Sequence, residues 1–133
     1  MLATPIDTRQ FQTLVSRLAR AWNKQEAIGV ATCFSTHAIF SNVTQGHLYT
    51  GREAIHQHIE QTLSGSEVHM VWHHLLFDEA SQIGSGEYSI AIGSQHRHGI
   101  AMIKVVDGKI THWRAYETAS DQGWQQFVGA NNF

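Results

Sequence analysis

Hydrophobic residues near the start of the chain repeat at helical spacing. Successive apolar positions fall on one helical stripe, which consists of Phe11, Leu14, Val15, Leu18 and Trp22. Asp7 precedes the stripe, and Gln10 lies three residues after Asp7. We therefore predict a helix that starts near Asp7 or Thr8 with a capping box. A second, shorter helix is predicted over residues 26–34, ended by the polar triplet at 35–37.

The next stretch changes from strand-forming to helix-starting residues. Residues 38–43, "AIFSNV", are typical of a strand. Thr50, with Glu53 three residues later, is typical of a helix start, and Ile55 and Ile59 continue a third helix at helical spacing.

Beyond residue 66 the pattern becomes that of consecutive strands. Four strand-like runs, "VHMVWHHLLF", "IGSGEYSIAIG", "GIAMIKVV" and "KITHWRAYE", are separated by the short segments "DEAS", "SQHRH" and "DG". Helices followed by an antiparallel meander indicate an α+β fold. The tail at 119–133 is expected to form either a short terminal turn or a loose end.

Composition adds limits to the fold and to the partners. With 133 residues, 42% hydrophobic and 15% charged, the chain fits one folded domain and has no apolar run of membrane-spanning length. A net charge of −2 without a Lys or Arg cluster argues against nucleic acid as a partner. The start, "MLATPIDTRQ", lacks a secretion signal pattern, so we expect a soluble, cytoplasmic protein without membrane contact. Cys33, in "VATCF", is expected to be a small buried hydrophobe.

Two short motifs carry a family resemblance. With "GREAI" at 51–55 and "DGKITHW" at 107–113, the chain resembles the cone-shaped α+β barrel family that includes nuclear transport factor 2 (NTF2), ketosteroid isomerase, scytalone dehydratase and the SnoaL-type polyketide cyclases. The resemblance covers roughly residues 8–118 and implies a single SnoaL-like or NTF2-like domain over 1–133. It further implies a cystatin-like cone, with three N-terminal helices on a curved, mostly antiparallel sheet around an apolar pocket, and a homodimer.

The resemblance also shows which isomerase residues are missing. It places the isomerase base at Asn42, the oxyanion tyrosine near Leu18 and the oxyanion aspartate near Ala101, so all three chemical positions are vacant. An amide cannot take a proton near neutral pH, which excludes Asn42 as a general base. Asn42 therefore either orients a ligand or forms a turn at the end of a strand.

The turn of the last hairpin decides which side chains face the pocket. We predict a three-residue loop at 106–108, because it separates apolar from polar positions most cleanly, whereas a two-residue turn would send Arg114 to the pocket face. The predicted pocket face consists of Ala101, Ile103, Val105, Trp113, Ala115 and Glu117. On this face Glu117 is either a general acid or base, or a solvated carboxylate at a strand end.

Histidines are unusually frequent, ten in all, and offer further candidates. His73 and His74 are adjacent in a strand, so one is expected to face the interior as an acid-base group or as a satisfied core histidine. Glu87 is another catalytic candidate, although an ion pair with Arg114 or a histidine is the safer expectation.

The remaining histidines do not predict a metal site. His56 and His58 are two apart on a helix and cannot converge on one ion, so we expect both at the surface. His96 and His98 share a strand face but lack a third ligand, so no metal and no cofactor are expected.

These patterns lead to two hypotheses. The first is a pocket that binds a small, largely apolar molecule, in a cofactor-independent isomerase, cyclase or dehydratase that transfers protons through His73, His74, Glu87 or Glu117. The second is a non-catalytic ligand-binding or dimerisation module of the same fold. The predicted pocket residues are Leu18, Trp22, Phe34, Phe40, Asn42, Ala101, Trp113 and Ala115.

Overall fold

The computed structural model describes residues 3–133, and within them the chain forms four α-helices and six strands. The helices are α1 (Thr8–Asn23), α2 (Ala27–Ala31), α3 (Arg52–Gly65) and α4 (Trp124–Val128), which a short 3-10 helix (Gly129–Asn131) follows. The strands are β1 (Phe34–Asn42), β2 (His47–Thr50), β3 (Val68–Asp78), β4 (Ile83–Ile92), β5 (Gln95–Val106) and β6 (Lys109–Ala119).

The strands form one mixed sheet in the order β2-β1-β6-β5-β4-β3. The β1–β6 pair is parallel and the other adjacent pairs are antiparallel. The α+β fold class is confirmed, and the sheet is mostly antiparallel. The third helix follows a strand, as the pattern at 38–43 predicted, whereas strand β2 and the parallel β1–β6 pair were not predicted. A fourth helix, α4, replaces the predicted turn or loose end.

The second helix is shorter than predicted because the polar triplet at 35–37 lies inside β1 and does not end a helix. The apolar spacing from Ala27 to Phe34 spans both elements, and Phe34 already belongs to the strand. Strand β2 follows at 47–50 as a four-residue edge strand with mostly exposed side chains, which gives little hydrophobic signal in the sequence.

Helix α1 packs its apolar stripe against the sheet, as predicted. Its capping box is present: the Asp7 carboxylate accepts from the Gln10 amide at 2.7 Å, and the Gln10 side chain accepts from the Asp7 amide at 2.8 Å. Phe11 is fully buried and stacks on Phe77 with 4.4 Å between ring centroids. Gly84 leaves room for this ring, because a Cβ there would lie 2.3 Å from a Phe11 ring carbon.

A bulge in β3 places both central histidines on the sheet face opposite the helices, here called the outer face. The β3–β4 register shifts between Trp72 and His74, so His73 is an extra residue in the strand. Trp72 points to the helices, where its indole donates to the Val15 carbonyl at 2.9 Å. The prediction that one of His73 and His74 faces the interior is therefore wrong, since strict alternation fails at a bulge.

The β5–β6 hairpin turns through two residues, Asp107 and Gly108, both with positive φ. The predicted three-residue loop is wrong, but a second bulge, between the Lys104–His112 and Val105–Ile110 pairs, restores the predicted faces. Trp113 and Ala115 are consequently buried on the helix side, and Arg114 stays exposed.

The C-terminal segment packs on the outer face. The Trp124 ring stacks on the His73 imidazole at 4.0 Å, and the Phe127 ring lies 4.4 Å from that of His98. Within residues 3–133, no helix combines the length and the apolar character that a membrane crossing requires.

Candidate functional site

A small cavity of about 40 Å³ lies between the first two helices and the sheet. It adjoins a wider space of about 340 Å³, here called the vestibule, which α3 and β2 help to line. The two spaces share Trp22, Phe40, Asn42, Ile90 and Glu117. The cavity is lined by Leu18, Trp22, Val30, Phe34, Phe40, Asn42, Met70, Tyr88, Ile90, Trp113, Ala115 and Glu117.

Most of the predicted pocket residues line this cavity, and the aromatic ones pack on one another. Phe40 stacks on Trp113 with 5.8 Å between ring centroids and 5° between ring planes. Ala101 is the exception: it is fully buried on the same sheet face but is not among the lining residues.

The carboxylate of Glu117 is the central polar group of the site. Its side chain is only 6% exposed, near the end of β6. Oε1 accepts from Asn42 Nδ2 at 2.9 Å and from an Arg97 guanidinium nitrogen at 3.3 Å. Oε2 accepts from the hydroxyl of Tyr88. Three donors from three different strands thus offset the cost of burying this charge.

Asn42 forms the turn predicted at the end of β1 and also contacts the buried carboxylate. Its Oδ1 accepts from the Gln45 amide at 3.1 Å and so shapes the turn after β1, while its Nδ2 donates to Glu117. The amide group thus holds the carboxylate in place instead of acting as a base itself.

Tyr88 is a donor that the sequence did not reveal. It is 1% exposed in the middle of β4, and its ring packs edge-on against Trp72 at 5.5 Å. Burial, followed by the negative charge of Glu117, raises the pKa of the Tyr88 hydroxyl well above its usual value, so the hydroxyl stays protonated. Gly99 makes the contact possible, because a Cβ there would lie 2.9 Å from Glu117 Cγ and 3.0 Å from Tyr88 Cζ.

Arg97 was also missed, because "SQHRH" reads as a loop although β5 already begins at Gln95. Its side chain is 17% exposed and reaches Glu117 with one nitrogen and Gln95 with another, at 2.8 Å. Alternation along β5 places Arg97 on the cavity side and His98 on the outer face, which is recognisable only once the start of the strand is known.

This arrangement can bind and move one proton. A carboxylate offers about four acceptor positions on its two oxygens, and Oε1 already accepts two hydrogen bonds. Oε2 accepts one, from Tyr88, and therefore keeps an unused acceptor position. Of the two carboxylate oxygens, Oε2 therefore has the greater unused capacity to accept a hydrogen bond.

The other three predicted catalytic residues lie on the outer face and do not line the cavity. His74 Nδ1 lies 3.2 Å from a Glu87 oxygen, so Glu87 pairs with a histidine as expected. His73 Nε2 contacts Ser89 Oγ at 2.6 Å, and the same oxygen contacts His98 Nδ1 at 2.7 Å. Because the bulge turns both central histidines outward, they lie away from this cavity.

His58 lies at the vestibule and not at the open surface, contrary to its prediction. Its ring stacks on Tyr49 with 4.3 Å between centroids, and the His47 ring is 6.1 Å away. Burial, followed by the neighbouring His47, lowers the pKa of His58 below the usual histidine range. His56, two residues earlier, is partly exposed and pairs with Glu60 at 3.2 Å.

The donor set does not suit a metal ion. Among residues 3–133, no three His, Cys, Asp or Glu side chains converge on one point. The carboxylate of the site is instead surrounded by three hydrogen-bond donors, two at the cavity and one, Arg97, at the vestibule.

The fold and the site define a class: an α+β pocket domain with one buried, multiply hydrogen-bonded carboxylate at the pocket. The SnoaL-like domain family matches residues 15–113, most of the chain. The chain therefore belongs to the SnoaL-like domain family. A search of curated proteins finds no match.

Solved structures of the same fold are numerous but distant in sequence. A protein from Kribbella flavida described as a candidate ketosteroid isomerase is 15% identical, with a TM-score of 0.73 over 88% of this chain and 84% of that one. A Methylobium petroleophilum protein of unknown function with a cystatin-like fold is 13% identical, with a TM-score of 0.76 over 91% and 83%. SalBIII, an epoxide hydrolase/cyclase-like enzyme in pyran ring formation in the polyether salinomycin, is 15% identical, with a TM-score of 0.72 over 84% and 93%. These similarities establish the fold.

Proposed function

We propose that this protein is a cofactor-independent proton-transfer enzyme that acts on a small, largely apolar molecule, as an isomerase, cyclase or dehydratase. Glu117 is the general base. The observation that carries the proposal is the buried Glu117 carboxylate, which lines a largely apolar cavity and keeps an acceptor position on Oε2.

The three reaction types share a first step that this carboxylate can perform. Glu117 Oε2 accepts a proton from a carbon next to a carbonyl group, and the C–H electron pair moves into the carbonyl system to give an enolate. Return of the proton from Glu117 to another carbon gives isomerisation. Transfer of that proton to a β-hydroxyl group, which leaves as water, gives dehydration. Attack of the enolate on a second carbonyl group, whose oxygen then takes the proton, closes a ring. None of these steps requires an oxidant or a reductant.

The names of two structural neighbours agree with this reaction class. The Kribbella flavida protein is described as a candidate ketosteroid isomerase and SalBIII as a cyclase-like enzyme. At this sequence identity the names support the proposal only as analogies of fold, and the buried Glu117 carboxylate carries it.

The proposal is tested by hydrogen–deuterium exchange at the methyl group of acetophenone, and of a panel of other small ketones, in D2O. Proton NMR measures the loss of the methyl signal. We expect the wild-type protein to accelerate exchange and Glu117→Gln to lose at least about a hundredfold of that acceleration, because general base catalysis contributes about 10²–10⁴.

Glu87→Gln is the matched control, since it removes a carboxylate on the outer face and leaves the cavity unchanged. Circular dichroism and thermal melts show whether each variant is folded. The proposal would be contradicted if the wild type accelerated exchange for none of the ketones. It would also be contradicted if Glu117→Gln accelerated exchange as much as the wild type does.

A non-catalytic ligand-binding module is the second candidate, and the size of the cavity favours it. About 40 Å³ holds a water molecule or a methyl-sized group, so the body of any ligand must lie in the vestibule. This alternative would be favoured if acetophenone shifted the NMR signals of Trp113 while the methyl hydrogens of acetophenone did not exchange.

A further inference from the structure

The imidazole of His58 is held firmly by its neighbours, yet its nitrogens are left for a ligand. Tyr49 stacks on the ring with an interplanar angle of 17°, and the Phe40 ring lies 5.7 Å away. The backbone carbonyl of His58 accepts from Thr62, but neither ring nitrogen is hydrogen-bonded to a residue in 3–133, and neither is completely buried. A molecule in the vestibule thus meets a pre-oriented ring whose nitrogens are not engaged by the described residues.

The groups around His58 keep it neutral. The titratable and charged side chains that line the vestibule with it are His47 on β2, Arg97 on β5 and Glu117 on β6. Tyr49 covers one face of the ring. Since burial and His47 both lower the pKa of His58, the ring is uncharged at neutral pH and carries one N–H donor and one acceptor nitrogen.

The position of His58 complements that of Glu117. Both side chains line the same vestibule, and the apolar cavity continues from it beyond Glu117. A ligand with a hydrocarbon end and one carbonyl group can place that end toward the cavity, its acidic C–H at Glu117 and its oxygen toward α3. The apolar cavity and the polar vestibule thus match the two ends of such a molecule.

We propose that His58 is a second substrate-contacting residue of this site, whose N–H donates a hydrogen bond to the carbonyl oxygen of a small ketone while Glu117 takes the neighbouring proton. The inference rests on the proposed function. As the C–H bond breaks, its proton goes to Glu117 Oε2 and its electron pair forms the enolate, whose oxygen His58 stabilises. The proton, or one from solvent, then returns to carbon, so the charge and the atoms balance without a co-reactant.

Three variants test this role in the acetophenone exchange assay. His58→Leu removes the donor at similar volume, His58→Gln keeps a donor, and His56→Gln changes the exposed histidine on the same helix. We expect His58→Leu to lower kcat/KM at least about tenfold, because removing one oxyanion donor typically costs about 10²–10³ in rate. His58→Gln should recover part of the loss, and His56→Gln should match the wild type.

A binding measurement separates this inference from the proposed function. In Glu117→Gln, which binds without proton transfer, acetophenone should shift the NMR signals of the His58 imidazole and the Trp113 indole but not those of His56. Full activity in His58→Leu together with lost activity in Glu117→Gln would overturn the role of His58 alone. A shift at Trp113 without one at His58, or no shift at either, would also overturn it, whatever the exchange assay shows.

Discussion

At the scale of single residues, the site depends on what surrounds one carboxylate. Glu117 is shielded from solvent, and Asn42, Tyr88 and Arg97 hold it by hydrogen bonds and an ion pair. The amide of Asn42 matters because it donates, whereas a carboxylate at the same place would bring a second negative charge against Glu117. Substitution at position 42 therefore tests the electrostatics of the site without changing Glu117 itself.

We expect Asn42→Asp to destabilise the protein by on the order of 1–3 kcal/mol at pH 8, because two buried carboxylates face each other without a proton between them. In the folded state the pair binds a proton more tightly than an unfolded aspartate does, which means a raised pKa. The penalty is therefore largest at high pH and shrinks as the pH falls toward about 4. Urea unfolding at pH 5 and pH 8 measures the difference.

Asn42→Ala is the control, since it also removes the donor to Glu117 but adds no charge. Its loss of stability should be nearly independent of pH. Equal losses for Asn42→Asp at both pH values would show that position 42 and Glu117 are not electrostatically coupled.

At the scale of elements, β3 and α4 are joined through the outer-face histidines. The His73 ring contacts the Ser89 hydroxyl and stacks on Trp124. The His98 ring contacts the same Ser89 hydroxyl through Nδ1, and its Nε2 lies 2.8 Å from the Gln122 carbonyl oxygen. Burial, followed by the nearby His98 and His74, lowers the pKa of His73, while Glu87 opposes the shift. The β3 bulge thus places under Trp124 of α4 a histidine whose surroundings favour its neutral form.

The lowered pKa of His73 predicts that stability falls in mild acid. Above about pH 6.5 the residue is neutral in both states, and below it the unfolded chain takes up the proton first. Stability is therefore complete at high pH and is lost as the pH falls through the folded-state pKa, a direction that His58 shares. Thermal melts of wild type and His73→Gln at pH 7.5 and pH 5.5 measure this loss.

His73→Gln should show a smaller decrease in Tm between the two pH values than the wild type, since it lacks one of the two histidines whose pKa is lowered, His73 and His58. His69→Gln is the control, because His69 is largely exposed beside Glu67. If His73→Gln and wild type lose the same number of degrees, the α4 contact is not linked to the protonation of His73.

At the scale of the whole molecule, local patterns were predictable and long-range registers were not. The stripe and capping box of α1 lie within one segment, so the sequence determines them directly. The parallel pairing of β1 with β6 joins segments about seventy residues apart, which no local pattern reports. The meeting of Tyr88, Arg97 and Glu117 depends likewise on the registers of three strands.

The two bulges explain why the predicted faces of β6 were correct and those of β3 were not. A shift of one residue moves every later side chain to the other face of a strand. In β6 a bulge compensated for the wrongly predicted turn, so Trp113, Ala115 and Glu117 lie on the predicted face. In β3 a bulge removed His73 and His74 from the interior.

The central claim is that a ligand binds in the vestibule between Glu117 and His58. The most direct test is a crystal structure of Glu117→Gln with acetophenone bound. The predicted result is a carbonyl oxygen about 3 Å from a ring nitrogen of His58, with the methyl group facing residue 117. Acetophenone bound instead on the outer face beside Trp124 and His98, with an empty vestibule, would contradict the account.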